Sequence, residues 1–113
     1  MDFQVIKSSV SSSPAFVLNE AEIINTLTML DSLRYQCDIK VLYSIKSLPF
    51  STVLEIIIPF VDGYSVSSLF EAQLADEILA GQGGIHLTTP GIRPDEWDDI
   101  TRLITHISFN SLT

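Results

Sequence analysis

Apolar and polar residues alternate along four short segments of the chain, which predicts β-strands over 39–46, 63–67, 85–89 and 106–110. A short apolar segment at 15–18 is also β-like and is expected to form the first strand, and a helix-like stretch separates each segment from the next. Apolar residues at three- and four-residue steps predict one helix in each interval. Because βαβ units place their strands in parallel with right-handed crossovers, the pattern predicts an α/β fold on a parallel sheet.

The first predicted helix follows Asn19, an N-cap residue with Glu22 in the capping-box position, and runs to about Gln36. Pro49 opens the second predicted helix, because proline is tolerated in the first helical turn, and Pro59 is expected to kink or end it. The apolar stripe of the first helix consists of Ile23, Ile24, Leu27, Leu30 and Leu33.

The third predicted helix spans 68–80 and ends at the glycine-rich stretch 81–84, because glycine adopts the left-handed conformation of a helix C-terminus. The fourth begins at Pro94, and its acidic first turn complements the helix dipole, which explains these acids without a metal site. The residues expected to face inward in the third helix are Phe70, Leu74, Ile78 and Leu79.

The two sides of the predicted sheet differ in polarity, which separates two architectures. A doubly wound open sheet is covered by helices on both faces, so its central strands are apolar on both sides. Here one side is small and polar, which favours the N-terminal part of an incomplete (β/α)8 barrel over the alternative, a small doubly wound open sheet. The polar side carries Ser44, Lys46, Gly63, Ser65, Ser67, His86, Thr88, Ser108 and Asn110, with Leu42 as its main apolar exception.

Length supports the interpretation of an incomplete barrel. The chain has 113 residues, whereas a closed eight-stranded barrel needs about 250. We expect residues 1–13, which contain a serine cluster, to form a loosely ordered arm. Residues 14–113 are then expected to form a partial (β/α) barrel of about four to five strands.

Charge and cysteine content exclude several classes of partner. Six basic against 14 acidic side chains give a formal net charge of −8, which disfavours nucleic acid and anionic membrane surfaces. The single cysteine, Cys37, cannot form an internal disulfide, and the sequence shows neither a signal peptide nor a membrane-spanning stretch. We therefore expect a cytoplasmic protein that binds neither nucleic acid nor membrane.

Two residues on the polar side are candidates for chemistry. Lys46 is expected at the carboxyl end of a strand, where it is either an amine activated by partial burial or a lysine that extends into solvent. His86 is either a hydrogen-bonded wall residue or a base. Neither His86 nor His106 has neighbours at metal-ligand spacing, so no metal site is expected.

Four blocks of sequence resemble a known family. Ser-Pro-Ala-Phe-Val-Leu at 13–18, Tyr-Ser-Ile-Lys at 43–46, the stretch 62–72 and His-Ile-Ser-Phe-Asn-Ser at 106–111 are similar to the N-terminal part of carboxynorspermidine/carboxyspermidine decarboxylases. These are pyridoxal-phosphate enzymes of polyamine (spermidine) biosynthesis, with the barrel of the alanine racemase and ornithine decarboxylase type. The resemblance extends over nearly all of this chain but only over the first part of such an enzyme.

The resemblance implies roles for individual residues. Lys46 matches the lysine that binds pyridoxal phosphate covalently, and Glu71 matches a glutamate near that lysine, although Ser68 and Glu71 also form a capping box. Ser65 stands where ornithine decarboxylase relatives have an aspartate. The implied catalytic residue is Lys46, and the implied cofactor-binding residues are Lys46, Ser67, Ser68, Glu71, His86 and Asn110.

The resemblance also implies a function. The chain would be the N-terminal segment of a pyridoxal-phosphate-dependent carboxy-lyase that decarboxylates a carboxylated polyamine, inactive alone and a homodimer when complete. The glycine-rich stretch 81–84 follows a helix rather than a strand, so it is not the phosphate loop of such an enzyme. Two alternatives stay open: a truncated or split-gene subunit that assembles with a partner chain, and a non-catalytic small α/β binding domain.

Overall fold

The apolar side of the sheet forms the centre of the fold, because the helices pack against it. The computed structural model describes residues 2–111. Four parallel strands form one sheet: β1 (Leu42–Ser44), β2 (Gly63–Val66), β3 (Gly84–Thr88) and β4 (His106–Ser108). The helices are α1 (Phe3–Ser9), α2 (Glu20–Cys37), α3 (Ser51–Ile57), α4 (Leu69–Leu79) and α5 (Trp97–Leu103), with 3₁₀ turns at Ile45–Ser47, Ile58–Phe60 and Pro94–Glu96.

The order of the strands separates the two predicted architectures. The strands lie in the sheet in chain order, β1-β2-β3-β4, and a helix connects each strand to the next. A doubly wound sheet requires a reversal of strand order, at which the helices change from one face to the other. The described sheet has no such reversal, so the predicted partial barrel is confirmed and the doubly wound alternative is wrong.

Tyr64 links the sheet to the helices. Its ring is fully buried, and its hydroxyl donates a hydrogen bond of 2.6 Å to the carbonyl oxygen of Leu54 in α3. Burial raises the pKa of the Tyr64 hydroxyl to about 12, so the group stays a donor at physiological pH. The core around it consists of Leu27, Ile45, Val53, Leu54, Ile57, Val66, Ala72, Ala75, Leu79, Ile85, Leu87 and Ile100.

The predicted first strand, 15–18, is wrong. These residues are irregular, and Phe16 is 91% exposed with its ring 6.5 Å from that of Phe50. A strand requires a neighbour for its N–H and C=O groups, and no strand within residues 2–111 pairs with this segment. The predicted strand 39–46 also shortens to β1, so Lys46 lies in the following turn.

The arm and the domain bounds remain expectations. Residues 3–9 form α1, which has no buried residue, so a loosely ordered arm stays a prediction. Met1, Leu112 and Thr113 fall within the expected ranges 1–13 and 14–113 but lie outside the described residues. None of the helices that the structure describes is long and apolar enough to cross a lipid bilayer.

The inward side of α4 differs from the prediction. Phe70 is 69% exposed, and the buried residues are Ala72, Ala75 and Leu79. Alanine contributes little to an apolar pattern, yet its small side chain lets a helix backbone approach a sheet closely, and α4 contacts β2 and β3. On α2, Leu27 is buried as expected, whereas Leu33 is 53% exposed.

Substitution of Gly63 tests the register between β2 and β3. It pairs with Leu42 on one side and Gly84 on the other, and a Cβ on Gly63 would fall onto the carbonyl oxygen of Gly84. We expect Gly63→Ala to lower the free energy of unfolding in urea by about 1–3 kcal/mol or more, because β2 must shift away from β3. Gly91→Ala is the control, since nothing lies within 4 Å of its added Cβ. Equal urea midpoints for the two variants would contradict the register.

Candidate active site

The register of the sheet aligns polar side chains into rows on the face opposite the core. Pairing of adjacent strands places Ser44, Ser65, His86 and His106 in one row. Thr88 pairs with Ser108 two residues nearer the carboxyl ends, which is about 7 Å along the strands. This uncovered face is the polar side predicted from the alternation.

Lys46 lies at the carboxyl edge of this face. It occupies the 3₁₀ turn that follows β1, between the fully buried Ile45 and Leu48, whose N–H donates to the Ile45 carbonyl oxygen at 3.1 Å. The turn contacts β2 and α4, and the Lys46 side chain is exposed. Within residues 2–111, no carboxylate lies within 4.0 Å of its ammonium. The core therefore holds the backbone while the amine stays accessible.

Glu71 and Ser67 lie beside this turn. Oε2 of Glu71 accepts hydrogen bonds from the Ser67 backbone N–H at 2.6 Å and the Ser67 hydroxyl at 2.8 Å. The Ser68 hydroxyl oxygen accepts from the Glu71 backbone N–H at 3.2 Å, as expected for an N-cap. The capping interaction is thus present, but the carboxylate binds Ser67 rather than the N–H of Ser68. Because the turn around Lys46 contacts α4, these four candidates lie in one region.

His86 lies away from Lys46. Its ring stacks on that of His106 with centroids 4.0 Å apart and an angle of 19° between the planes. Burial lowers the pKa of His86 below its ordinary value, and the charges of His106 and Lys40 lower it further. These neighbours belong to the amino-end side of the sheet, so the structure does not bring His86 together with Lys46. Its role in cofactor binding stays a prediction.

Asn110 lies beyond the end of β4. Its side-chain NH₂ donates to the carbonyl oxygen of Pro90 at 2.9 Å, and it lines a cavity of about 330 Å³ that Trp97 also lines. Asn110 is therefore on the carboxyl side, but its hydrogen bond ties it to the segment after β3.

Two neighbours of the candidates were not singled out from the sequence. Thr88 lies on the uncovered face. The alternation predicts this position, but it gives no reason to select Thr88 from the other small polar residues of that face. Trp97 lines the cavity beside Asn110, and its position depends on the chain path between Thr88 and Pro94, which the pattern does not predict.

Three of the four acids at the start of α5 are paired with arginines. Arg93 lies 2.6 Å from Asp95 and 3.7 Å from Glu96, and Arg102 lies 3.7 Å from Asp99. In the part of the chain that the structure describes, no three His, Cys, Asp or Glu side chains form a possible metal-binding group.

Comparison with known proteins identifies relatives of the chain, although no protein-family model matches it. It is 33% identical over 100 residues to carboxynorspermidine/carboxyspermidine decarboxylase of Campylobacter jejuni subsp. jejuni, covering 88% of this chain and 26% of that enzyme. It is 34% identical over 100 residues to carboxyaminopropylagmatine decarboxylase of Synechocystis sp., covering 88% of this chain and 25% of that enzyme.

A solved structure supports the same relationship. The chain superimposes on the crystal structure of carboxynorspermidine decarboxylase complexed with norspermidine from Campylobacter jejuni with a TM-score of 0.82 and 32% identity. The match covers 91% of this chain and 27% of that one. The chain thus spans about a quarter of the length of the decarboxylases it matches, and the resemblance seen in the sequence is confirmed.

The lowered pKa of His86 predicts a pH dependence of stability. The ordinary value is 6.5 and the folded value is lower, so the unfolded chain binds the proton more strongly. Stability is therefore full above pH 6.5 and falls as the pH drops from 6.5 through the folded value. We expect urea denaturation from about pH 8 to 5 to show this loss, and His86→Gln to reduce it. The same loss in parent and His86→Gln would contradict this assignment.

Proposed function

We propose that this chain supplies the lysine-bearing part of a pyridoxal-phosphate-dependent decarboxylase. Its homology extends over about a quarter of the length of the carboxynorspermidine/carboxyspermidine decarboxylases. One observation carries the proposal: Lys46 is an exposed amine on an anchored turn at the carboxyl edge of a parallel sheet. Barrel enzymes place their active sites at this edge. The relatives in sequence are named decarboxylases, and so is the solved structure on which the chain superimposes.

Pyridoxal phosphate fits one part of this region. The cofactor is held through its aldehyde by a primary amine, and the Lys46 amine is exposed with no carboxylate partner within residues 2–111. The glycine-rich stretch 81–84 leads into the amino end of β3, so it lies at the opposite edge from Lys46 and is not suited to the phosphate of the same molecule. We therefore assign covalent attachment to Lys46 and phosphate binding to the remainder of the enzyme.

The residues around Lys46 would position it. Ile45 anchors the turn in the core, and Glu71 holds Ser67 through two hydrogen bonds beside that turn. Glu71 thus acts as a positioning residue that fixes the end of β2 and the start of α4. When bound, pyridoxal phosphate accepts the electron pair that the departing carboxylate leaves behind.

The proposed substrate is a carboxylated polyamine. The relatives are named for carboxylated norspermidine, spermidine and aminopropylagmatine, and the Campylobacter jejuni structure is a complex with norspermidine. In the reaction, the bond between the substrate carbon and its carboxylate breaks, carbon dioxide leaves, and a proton takes the place of the carboxylate. Polyamine biosynthesis in the cytoplasm is the proposed setting, since Cys37 is a free thiol.

Assembly is the second part of the proposal. Within residues 2–111, β1 and β4 each pair on one side only, and no helix covers the polar face. Unpaired strand edges are normally covered in native proteins. We propose that the remaining part of the enzyme or a partner chain covers them, that the complete enzyme is a homodimer, and that this chain alone is inactive.

Borohydride reduction tests the role of Lys46. With the remaining part of the Campylobacter jejuni relative supplied in trans, we expect reduction in the presence of pyridoxal phosphate to add the cofactor mass to Lys46 in preference to Lys7 and Lys40, as measured by mass spectrometry of peptides. All three lysines are exposed, so exposure alone would label them equally. Lys46→Arg should lose the label without an increase at Lys40. Equal labelling of the three lysines in the parent chain would contradict the assignment.

A further inference from the structure

A cleft opens on the helix-covered side of the sheet, between α2 and α3. Its volume is about 290 Å³, close to the lower end of the range for small-molecule sites, which is roughly 300–1,000 Å³. The walls of the cleft come from α2, β1, the segment after the Lys46 turn, and α3. The lining residues that matter here are Glu22, Ile23, Tyr43, Leu48, Val53 and Ile57.

Closure of the barrel does not fill this cleft. Strands from the remainder of the enzyme extend the sheet at the free edges of β1 and β4, and their side chains fill the inner, polar face. The cleft lies on the opposite face, and both of its helices belong to this chain. Because α3 connects β1 to β2, the cleft lies on the β2 side of α2, away from the free edge of β1. The packing of α2 on α3 therefore determines its shape.

Apolar side chains form most of the cleft. Ile23 comes from α2, Leu48 from the segment after the Lys46 turn, and the buried Val53 and Ile57 from α3. Aliphatic side chains beside an open space lack dispersion contacts on that side, and the apolar part of a ligand supplies them. This part of the cleft therefore suits an alkyl chain rather than a polar group.

Tyr43 brings a polar group into this apolar wall. Its ring meets that of Tyr64 edge to face, with centroids 6.4 Å apart and an angle of 81° between the planes. The Tyr64 hydroxyl is bonded to the Leu54 carbonyl oxygen, whereas no group within residues 2–111 forms a hydrogen bond with the Tyr43 hydroxyl. Burial raises the pKa of Tyr43, so its hydroxyl stays neutral at physiological pH and offers an acceptor oxygen to a ligand.

Glu22 supplies a negative charge to the same cleft. Its backbone N–H donates to Oδ1 of Asn19 at 3.3 Å, so the cap of α2 does not use its carboxylate. Within residues 2–111, no basic side chain lies within 4.0 Å of this carboxylate. No lysine, arginine or histidine of the described chain lines the cleft either. The carboxylate is therefore available to a cation.

We propose that this cleft binds a primary alkylammonium ion. The alkyl chain packs against Ile23, Leu48 and Val53. The ammonium is held by the Glu22 carboxylate, with the Tyr43 hydroxyl oxygen as a second acceptor. An ammonium donates three hydrogen bonds and accepts none, so a site that offers acceptors and no competing cation is complementary to it. Binding here does not depend on the proposed decarboxylase function, because no step of that proposal involves the cleft.

Hexylamine is a suitable probe, because an alkylammonium keeps its charge at about pH 7. We expect its addition to the full chain at low ionic strength to shift the methyl resonances of Ile23, Leu48, Val53 and Ile57. Hexan-1-ol and hexanoate carry the same chain with no charge and with a negative charge, so affinity should fall in the order amine, alcohol, carboxylate. Unshifted methyl resonances, or equal affinities of the amine and the carboxylate, would overturn the proposal.

Matched variants separate the cleft from the general attraction of cations to an acidic chain. We expect Glu22→Gln to weaken hexylamine binding about two- to fivefold, the range for exposed ion pairs, and to leave hexan-1-ol binding unchanged. Glu20→Gln removes the same charge from the first turn of α2 but not from the cleft, and should leave the hexylamine affinity unchanged. Circular dichroism checks the folding of both variants. Equal weakening by Glu20→Gln and Glu22→Gln would show general attraction alone and contradict the site.

Discussion

Each connection carries the chain from one strand to its immediate neighbour in the same direction, so every crossover helix falls on the same side of the sheet. That side becomes the core, with Tyr64 and Leu87 fully buried on it. Within residues 2–111 the other side receives no helix, and the alternate residues of the same strands, such as Ser65 and His86, line it instead. The candidate active site lies at the carboxyl ends of the strands on this side.

The packed side also determines where the candidate nucleophile lies. Ile45 is fully buried and directly precedes Lys46, so within residues 2–111 the core holds the turn without a hydrogen bond to the lysine side chain. Glu71 performs the equivalent task for the end of β2 through Ser67. The geometry at the carboxyl edge is therefore a consequence of apolar packing, supplemented by one carboxylate with two donors.

Local signals explain which parts of the fold were predictable. Asn19 and Ser68 cap α2 and α4 as expected, because capping depends only on residues within one helical turn. The polar and apolar faces of β2 and β3 could also be predicted from the sequence, since the alternation of side chains is a property of the strand itself. The barrel architecture followed from these faces together with the family resemblance.

The remaining features depend on contacts between distant segments. Residues 15–18 have the composition of a strand but no partner within residues 2–111, and Phe70 is exposed because Ala72 and Ala75 face the sheet. The stacking of His86 on His106 depends on the register of β3 with β4. Position alone made Lys46 a candidate amine. Its cofactor role and the roles of Glu71 and Asn110 came from the resemblance, because spacing does not distinguish a cofactor lysine from a solvated one.

In the proposed enzyme, this chain contributes the reactive lysine to a decarboxylase of which it forms about a quarter. The most direct measurement is carbon dioxide release from a carboxylated polyamine by this chain mixed with the remaining part of the Campylobacter jejuni relative and pyridoxal phosphate. We predict release by the mixture, none by either part alone, and none when the chain carries Lys46→Arg. Release at the parent rate by the Lys46→Arg mixture would contradict the proposed role of this lysine.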